Sequence, residues 1–386
     1  MYRPEPIPLS SPGSLSPSIT DIDRSNDWNA SARALIGGQQ LLVRDLYSTA
    51  IGTLGALRRQ LEMQHPQADQ DHGRSRELRA AYHRASQNLL APISSHRLAL
   101  DKAPDIGWFK ELYQDISDFL LPFPLVQGLN SSWQWSQRGI EIPVLARRLF
   151  PFYGTYFPTR FDHIELFDTW LQKYAGPRDL ACDIGTGCGV LALLLAQAGF
   201  GRVLATDSNA NAVESVRREL KRQPVQGEIE AVIEVREADL FGDWQECPDL
   251  IVFNPPWLQG PIHTPMDEAI YHDGALFDRF FRHAHARLTG DGNPDFANGD
   301  DGRLVLLFSN LPQMIDAGAL HPIQQELDAG GRFDLIGQDR QLVRTASAKT
   351  RRRKRDPAAE YVELWELAPR PVARTHLHER TSRRAR

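Results

Sequence analysis

The chain has 386 residues, of which 41% are hydrophobic and 24% are charged, and its net charge is −5. This composition is ordinary for a soluble globular protein, and the length fits two domains or one large domain with an extension. The longest apolar run is too short to span a bilayer, and the first residues lack a signal-peptide pattern, so we expect a cytoplasmic protein. The three cysteines have no paired spacing and fit neither a disulfide framework nor a zinc site.

The first third of the sequence predicts a helical domain behind a disordered start. Residues 1–28 are rich in Pro and Ser and poor in large apolar side chains, which is typical of disorder. Residues 29–125 predict a helical N-terminal domain, because apolar residues recur at three- and four-residue intervals. Residues 126–178 predict a linker with a short hairpin, followed by a lead-in helix.

From residue 179 the pattern changes to alternating strands and helices. Apolar strands are expected at 180–184, 202–206, 229–235, 249–253 and 302–310. This alternation predicts an α/β fold, a Rossmann-like, mostly parallel sheet with helices on both faces. Two further strands, 332–344 and 360–368, have no helix between them and predict an antiparallel hairpin at one edge, which gives seven strands in a domain spanning 179–368. Residues 369–386 predict a basic disordered tail.

A glycine turn, DIGTGCG, lies between the first strand of this domain and its helix. Glycine allows a sharp turn and a close approach of the backbone to a ligand. The glycine spacing departs from the dinucleotide fingerprint, and no lysine is present for a phosphate loop. The candidate cofactor-binding residues are Asp183, Gly185, Thr186, Gly187 and Gly189. The alternative is a tight turn without a ligand.

Two acids, Asp207 and Asp239, follow the second and third strands of this domain. The carboxyl ends of strands form the ligand crevice of open α/β sheets. Asp207, next to Ser208, is therefore a candidate acceptor for the two hydroxyls of a ribose. Asp239 is a candidate acceptor for an adenine amino group, with Leu240 against the ring. The alternatives are a helix cap at Asp207 and a simple turn at Asp239.

The fourth strand stops abruptly on Asn254, Pro255, Pro256 and Trp257. Prolines fix φ and remove backbone donors, so they hold the chain rigidly after the strand. The side-chain oxygen of Asn254 can accept a hydrogen bond from an NH₂ group, and the carbonyl of Pro255 offers a second acceptor. Trp257 offers a flat apolar face to a planar substrate. The alternative is a strand terminator with a packed Trp.

These segments, in this order, resemble class I S-adenosylmethionine-dependent methyltransferases over residues 158–368. The Asn-Pro-Pro-aromatic signature resembles that of HemK-type protein-glutamine N-methyltransferases and of small-domain RNA and DNA N-methyltransferases. The HemK-type relatives end the signature on Tyr, where this chain has Trp257, and its segment PTRFDHIELF is similar but not identical to theirs.

The resemblance implies a role for each site residue. Asp183 and the glycine loop would hold the methionine moiety of the cofactor, Asp207 its ribose and Asp239 its adenine. Asn254 would be the catalytic amide, held by the two prolines, and would also belong to the cofactor-binding residues together with Ser208; Trp257 would pack on the substrate.

We therefore expect an N-methyltransferase that uses S-adenosylmethionine on a planar NH₂ nitrogen, with a protein glutamine side chain as the first expectation. The alternatives are adenine or guanine N-methylation in RNA or DNA, a small-molecule methyltransferase, and a non-catalytic cofactor-binding scaffold. The intact Asn254 beside intact cofactor residues argues against the scaffold.

Basic charge is concentrated near the C-terminus. Residues 349–386 hold 12 basic and 5 acidic residues, a net of +7, which leaves −12 for the rest of the chain. Residues 349–355 are a candidate contact to nucleic-acid phosphates, and the alternative is a solvated charged loop. We expect a macromolecular substrate, protein or RNA/DNA, and no membrane partner.

His272, His283 and His285 lack ligand spacing, so no metal is expected.

Overall fold

The computed structural model describes residues 1–9, 19–65, 72–222, 231–260, 262, 268–290, 302–329, 331–344 and 360–371. The chain divides into two compact units. The first consists of residues 1–139 and 152–154, and the second of residues 140–151 and 155–386. Within the described residues, no helix is both long enough and apolar enough to cross a membrane.

The first unit is a mixed sheet with helices. Its strands are β1 (Ile7–Pro8), β2 (Ile19–Ile22), β3 (Gln40–Val43), β4 (Leu89–Ser94), β5 (Arg97–Leu98) and β6 (Phe119–Pro122), and its helices are α1 (Trp28–Ile36), α2 (Tyr47–Gln64), α3 (His72–Ser86), α4 (Trp108–Leu112) and α5 (Phe123–Arg138). The strand order is β1-β6-β4-β3-β2, and β5 pairs with β4. β2, β3 and β4 are parallel, whereas β6 runs antiparallel to β4.

The prediction of a purely helical domain over residues 29–125 is therefore wrong. β3, β4 and β6 all lie within stretches whose apolar spacing indicates helix. Leu41, Leu42 and Val43 are buried on both faces of β3. A short apolar run fits a buried strand as well as one face of a helix, and pairing with neighbouring strands selects the strand here.

Two further predictions for the first unit need correction. Residues 7–8 and 19–22 form strands inside the segment expected to be disordered, and residues 10–18 of that segment lie outside the described residues. Residues 123–138 form α5 instead of part of a hairpin. Its buried Phe123, Val126 and Leu129 recur every three residues on one helical face.

The second unit contains the predicted sheet. It begins with a hairpin of β7 (Ile140–Ile142) and β8 (Arg147–Leu149), joined by a 3₁₀ turn at Pro143–Leu145, and with α6 (Asp162–Leu171). The elements that follow are β9 (Leu180–Ile184), α7 (Val190–Gln197), β10 (Arg202–Asp207), α8 (Ala210–Arg222), β11 (Val232–Glu237), β12 (Leu250–Phe253), β13 (Leu258–Gln259), β14 (Tyr271–His272), α9 (Leu276–Thr289), β15 (Arg303–Ser309), α10 (Leu311–Ile315), α11 (Pro322–Asp328), β16 (Phe333–Leu342) and β17 (Tyr361–Pro369).

The sheet of the second unit confirms the predicted fold class. Among the described strands the order is β11-β10-β9-β12-β15-β17-β16. The first five are parallel, and β17 runs antiparallel to both β15 and β16. Residues 140–151 and 155–178, predicted as part of a linker, belong to this unit.

The register of the parallel strands places three strand ends side by side. β9 lies between β10 and β12, and all five of its residues are buried. Ile184 pairs with Thr206 on one side and with Phe253 on the other. The residues that follow these positions therefore leave the sheet at the same level.

Candidate active site

A cavity of about 800 Å³ opens at this level of the second unit. It lies at the carboxyl ends of the parallel strands, where open α/β sheets bind ligands. The structure places most of the predicted site residues around it, whereas Asp183 and Gly189 are not part of the lining. The lining includes Gly185, Thr186, Gly187, Asp207, Ser208, Asp239, Leu240, Asn254, Pro255, Pro256 and Trp257.

The glycine turn needs glycine at its first two glycine positions. Gly185 and Gly187 have φ of 65° and 55°, a region that strains other residues. A Cβ on Gly185 would lie 3.2 Å from the Phe253 ring, and one on Gly187 would lie 3.2 Å from the backbone oxygen of Tyr156. Gly189, with φ of 86°, precedes the first residue of α7. The loop therefore presents bare backbone to the cavity.

Asp183 is fully buried at the base of this loop. Its Oδ2 accepts hydrogen bonds from the Thr186 hydroxyl at 2.6 Å and from the Ala192 backbone N–H at 2.9 Å. Its Oδ1 is buried and has no hydrogen-bond partner in the described structure. Burial, with a smaller contribution from the charge of Asp207, raises the pKa of Asp183 to about 7. The pKa of this carboxyl group therefore lies near neutral pH.

Asp207 ends β10 and ties the loop to the next helix. Its Oδ2 accepts from the Gly187 N–H at 2.8 Å, and its Oδ1 accepts from the Asn209 N–H at 2.9 Å. Burial raises its pKa above the ordinary value. The carboxylate shapes the glycine loop and makes a local turn contact, whereas the N–H of Asn211 in the first turn of α8 donates to Asn209 Oδ1. Ser208 donates to Glu268 at 3.0 Å.

Asp239 has a partner that sequence reasoning missed. Arg279, in the first turns of α9, donates to its carboxylate, and both residues line the cavity. Asp239 would therefore have to share its carboxylate between Arg279 and an adenine amino group. Leu240 is buried beside it, with φ of 52°.

Asn254 follows β12 directly and faces the same cavity. Its side-chain Oδ1 is buried and has no hydrogen-bond partner among the described residues. An orphaned buried acceptor is costly and calls for a ligand or a functional explanation. After the two prolines, β13 pairs in parallel with β14, so the chain beyond Trp257 is anchored to residues 271–272.

The lining also holds residues that were not found from the sequence, among them Tyr156, His163, Glu268 and Arg279. Tyr156 and His163 come from the segment before β9, and Glu268 and Arg279 come from the connection between β12 and β15. Helical spacing would have placed Arg279 near the start of α9, but no sequence signal pointed it at Asp239.

The residues present fit S-adenosylmethionine. The cofactor carries a cationic centre, a ribose and an adenine. The cavity offers backbone bared by Gly185 and Gly187 and the strand-end acid Asp207. The fully buried Asp183 lies two residues before Gly185 and has one oxygen without a partner among the described residues. Among the described residues, no group of three or more His, Cys, Asp or Glu is placed to hold a metal ion.

The basic run at 349–355 lies outside the described residues, as do residues 372–386 of the predicted tail. The flanks of this run are anchored at the first turn of α6. The Arg344 N–H donates to Asp162 Oδ1 at 3.2 Å, and Arg344 also pairs with Glu165. Arg160 pairs with Glu360 at 2.8 Å.

Residues 166–295 match the model of the methyltransferase small domain family. The chain is 34% identical over 190 residues to a ribosomal RNA small subunit methyltransferase C of Chromohalobacter salexigens, covering 49% of this chain and 46% of that protein. It is 33% identical over 134 residues to a ribosomal protein L11 methyltransferase of Thermosipho africanus, covering 34% of this chain and 47% of that protein. It is 36% identical over 113 residues to a tRNA1(Val) (adenine(37)-N6)-methyltransferase of Phocaeicola vulgatus, covering 28% of this chain and 47% of that protein.

The chain thus spans about half the length of the curated relatives it matches. The matches confirm the resemblance drawn from the sequence at the level of the methyltransferase class: residues 166–295 are similar to a methyltransferase domain.

Proposed function

We propose that this methyltransferase domain transfers a methyl group from S-adenosylmethionine to a planar NH₂ nitrogen, and that this nitrogen belongs to a base in RNA. The observation that carries the proposal is the buried, unpartnered Oδ1 of Asn254 at the end of β12, beside the glycine loop. An acceptor in that position lacks a donor within the described protein, and a substrate NH₂ provides one.

Asn254 and Pro255 would act on the acceptor nitrogen. The lone pair of an amide or an exocyclic amine is delocalised, so such a nitrogen is a poor nucleophile. When bound, the cofactor supplies a methyl group already activated by its positive sulfur. Asn254 Oδ1 accepts one N–H, and the Pro255 carbonyl, held by the rigid prolines, accepts the other. Two acceptors would aim the lone pair at the methyl carbon, so that an N–C bond forms as the C–S bond of the cofactor breaks. They would also stabilise the positive charge on nitrogen until one N–H proton leaves to solvent.

The other half of the cavity would hold the cofactor. Asp207 accepts from the ribose hydroxyls, and the glycine loop lies against the methionine portion. Asp183 supplies a buried acid oxygen near it, and Leu240 packs against the adenine ring, whose amino group approaches Asp239. Trp257 lines the acceptor side, where a flat ring stacks on a planar base with about 1–3 kcal/mol.

The relatives include both RNA and protein methyltransferases, and the longest of the three matches described above, over 190 residues, is to a ribosomal RNA methyltransferase and supports RNA as the source of the acceptor. Two of the three named above are methyltransferases of ribosomal RNA and of a tRNA adenine. A glutamine side chain presents the same planar NH₂, and a relative named for ribosomal protein L11 keeps a protein acceptor as the second candidate. Residues 349–355 would then contact the phosphates of the RNA. Arg344 and Glu360, which flank this segment, are held by Asp162 and Arg160 at the start of α6.

Methyl transfer from isotopically labelled cofactor into bacterial extract tests the acceptor class. The purified full chain is incubated with extract that has been treated with ribonuclease, with protease or with neither. Loss of label with ribonuclease, followed by a methylated base in the nucleoside digest, supports the proposal. Label that survives ribonuclease and is lost with protease transfers the assignment to a protein.

Asn254→Ala tests the mechanism. The variant should bind the cofactor within about twofold of wild type but transfer methyl at least about 100-fold more slowly, as when a positioned hydrogen-bonding group is lost from an active site. Asn254→Asp is the matched control, since it keeps an oxygen acceptor at the same place. Full transfer by the alanine variant would exclude the role given to Asn254.

A further inference from the structure

His163 lies in the first turn of α6 and is 5% exposed. Its imidazole meets the indole of Trp257 edge to face, with ring centroids 5.8 Å apart and planes at 86°. Both residues line the cavity. This is a favourable arrangement of two aromatic rings, beyond the apolar area that it buries.

Burial keeps the imidazole uncharged. It lowers the pKa of His163 to about 4, and the nearby Asp162 only partly opposes this effect. At neutral pH the ring is therefore a neutral, flat support. The Trp257 ring that it supports also packs against both apolar clusters of the second unit.

The backbone that carries His163 is fixed from outside. Asp162 and Glu165 of the same turn are held by Arg344 at the end of β16, and Arg160 is held by Glu360 next to β17. The first turn of α6, which carries the imidazole, is thus held by hydrogen bonds and ion pairs to residues next to β16 and β17. The indole it touches, by contrast, follows two prolines that have no N–H with which to anchor their own backbone.

The indole of Trp257 has no polar anchor in the described residues. Its N–H is buried and makes no hydrogen bond. The orientation of the indole in the cavity wall therefore depends on packing. The imidazole of His163 packs edge to face against it.

We propose that His163 is a positioning residue for the methyl acceptor, holding the Trp257 indole at the angle on which a planar acceptor stacks. The proposal rests on the proposed function, because a stacking platform serves only a planar acceptor. It adds a residue from α6, outside the Asn-Pro-Pro-Trp segment, to acceptor recognition.

Two variants separate positioning from structural support. His163→Ala removes the ring, and His163→Phe keeps an aromatic edge of similar size. Total bacterial RNA is the acceptor probe, and cofactor affinity is measured in parallel. We expect the alanine variant to raise the apparent KM for RNA three- to tenfold with cofactor affinity within twofold, and the phenylalanine variant to restore KM. An unchanged KM in the alanine variant, or no rescue by phenylalanine, would overturn the proposal.

A second measurement is independent of turnover. Protein labelled with 5-fluorotryptophan gives a fluorine NMR signal for Trp257, assigned by its loss in Trp257→Phe. We expect one sharp signal in wild type and in His163→Phe, and a shifted, broadened signal in His163→Ala. An identical signal in all three would overturn the positioning role. A wild-type protein that transfers no methyl would refute the proposed function, while this measurement would still decide whether His163 orients Trp257.

Discussion

Replacing Asp183 by Asn should change how the stability of the second unit depends on pH. The wild-type carboxyl group is fully buried, and its pKa rises from 3.8 to about 7. A raised acid pKa means that the fold prefers the protonated form. The stabilisation is complete below the unfolded pKa and is lost as pH rises through the folded one. Asn resembles the protonated acid at every pH.

The magnitude follows from the proton affinity. Each tenfold change in that affinity is worth about 1.4 kcal/mol, so a pKa raised from 3.8 to about 7 corresponds to about 4 kcal/mol as an upper bound. Between pH 4 and pH 8.5 the unfolding free energy of Asp183→Asn should gain on that of wild type by up to this amount, in the absence of cofactor.

The assay is thermal or urea unfolding of the full chain across this pH range. The transition of the second unit is followed separately, because the chain divides into two compact units and two-state analysis applies to single domains. Thr186→Val is the matched variant. It keeps the acid but removes the hydroxyl that lowers its pKa, so the pH-dependent loss should extend to higher pH. Parallel pH profiles for wild type and Asp183→Asn would refute the reasoning.

Two other predictions concern ligands. Asp207→Ala should weaken binding of S-adenosylmethionine at least about tenfold, because it removes a charged acceptor and leaves the Gly187 N–H without its partner. Asp207→Asn should lose less affinity for the cofactor. Equal calorimetric affinities in wild type and the alanine variant would contradict the assignment. Removal of residues 349–355, which include six basic side chains, should weaken RNA binding and flatten its salt dependence, since each phosphate contact contributes about 0.7–0.9 to the slope of log K against log salt; an unchanged slope would show that this run does not contact phosphates.

The sheet of the second unit was predictable because most of its parallel strands are short, apolar and separated by helices. A strand buried on both faces needs a continuous apolar sequence, and LACDI, DLIVF and RLVLLF have one. The direct succession of 332–344 and 360–368 likewise predicted the antiparallel edge that β16 and β17 form.

The first unit was not predictable in the same way. β3 and β4 have only four and six residues and lie directly beside long helices, so their apolar residues merge into the helical period. What separates strand from helix there is pairing between residues far apart in the chain, such as Leu41 with Leu89, and local spacing carries no information about it.

The site shows the same division between local and distant information. Asp207 ends β10 and Asn254 follows β12, and strand ends meet at one edge of a parallel sheet, so both could be proposed from the sequence; Asp183, inside β9, became a candidate through the glycine turn and the family resemblance. His163 and Arg279 were missed because their roles come from side-chain contacts across the fold, with Trp257 and Asp239. Helix position alone says nothing about which partner a side chain meets.

The side-by-side endings of β9, β10 and β12 also bear on how such an enzyme diversifies. Neighbouring strands are spaced about 4.8 Å apart by main-chain hydrogen bonds, so the step from Ile184 to Phe253 is the same whatever side chains surround it. Under the proposed function, exchanging Trp257 or rebuilding residues 258–272 would reshape the acceptor side of the cavity while leaving this strand spacing unchanged. The hydrogen-bonded strands thus fix the spacing at the floor of the cavity, and the segments that follow the strands can vary without changing it.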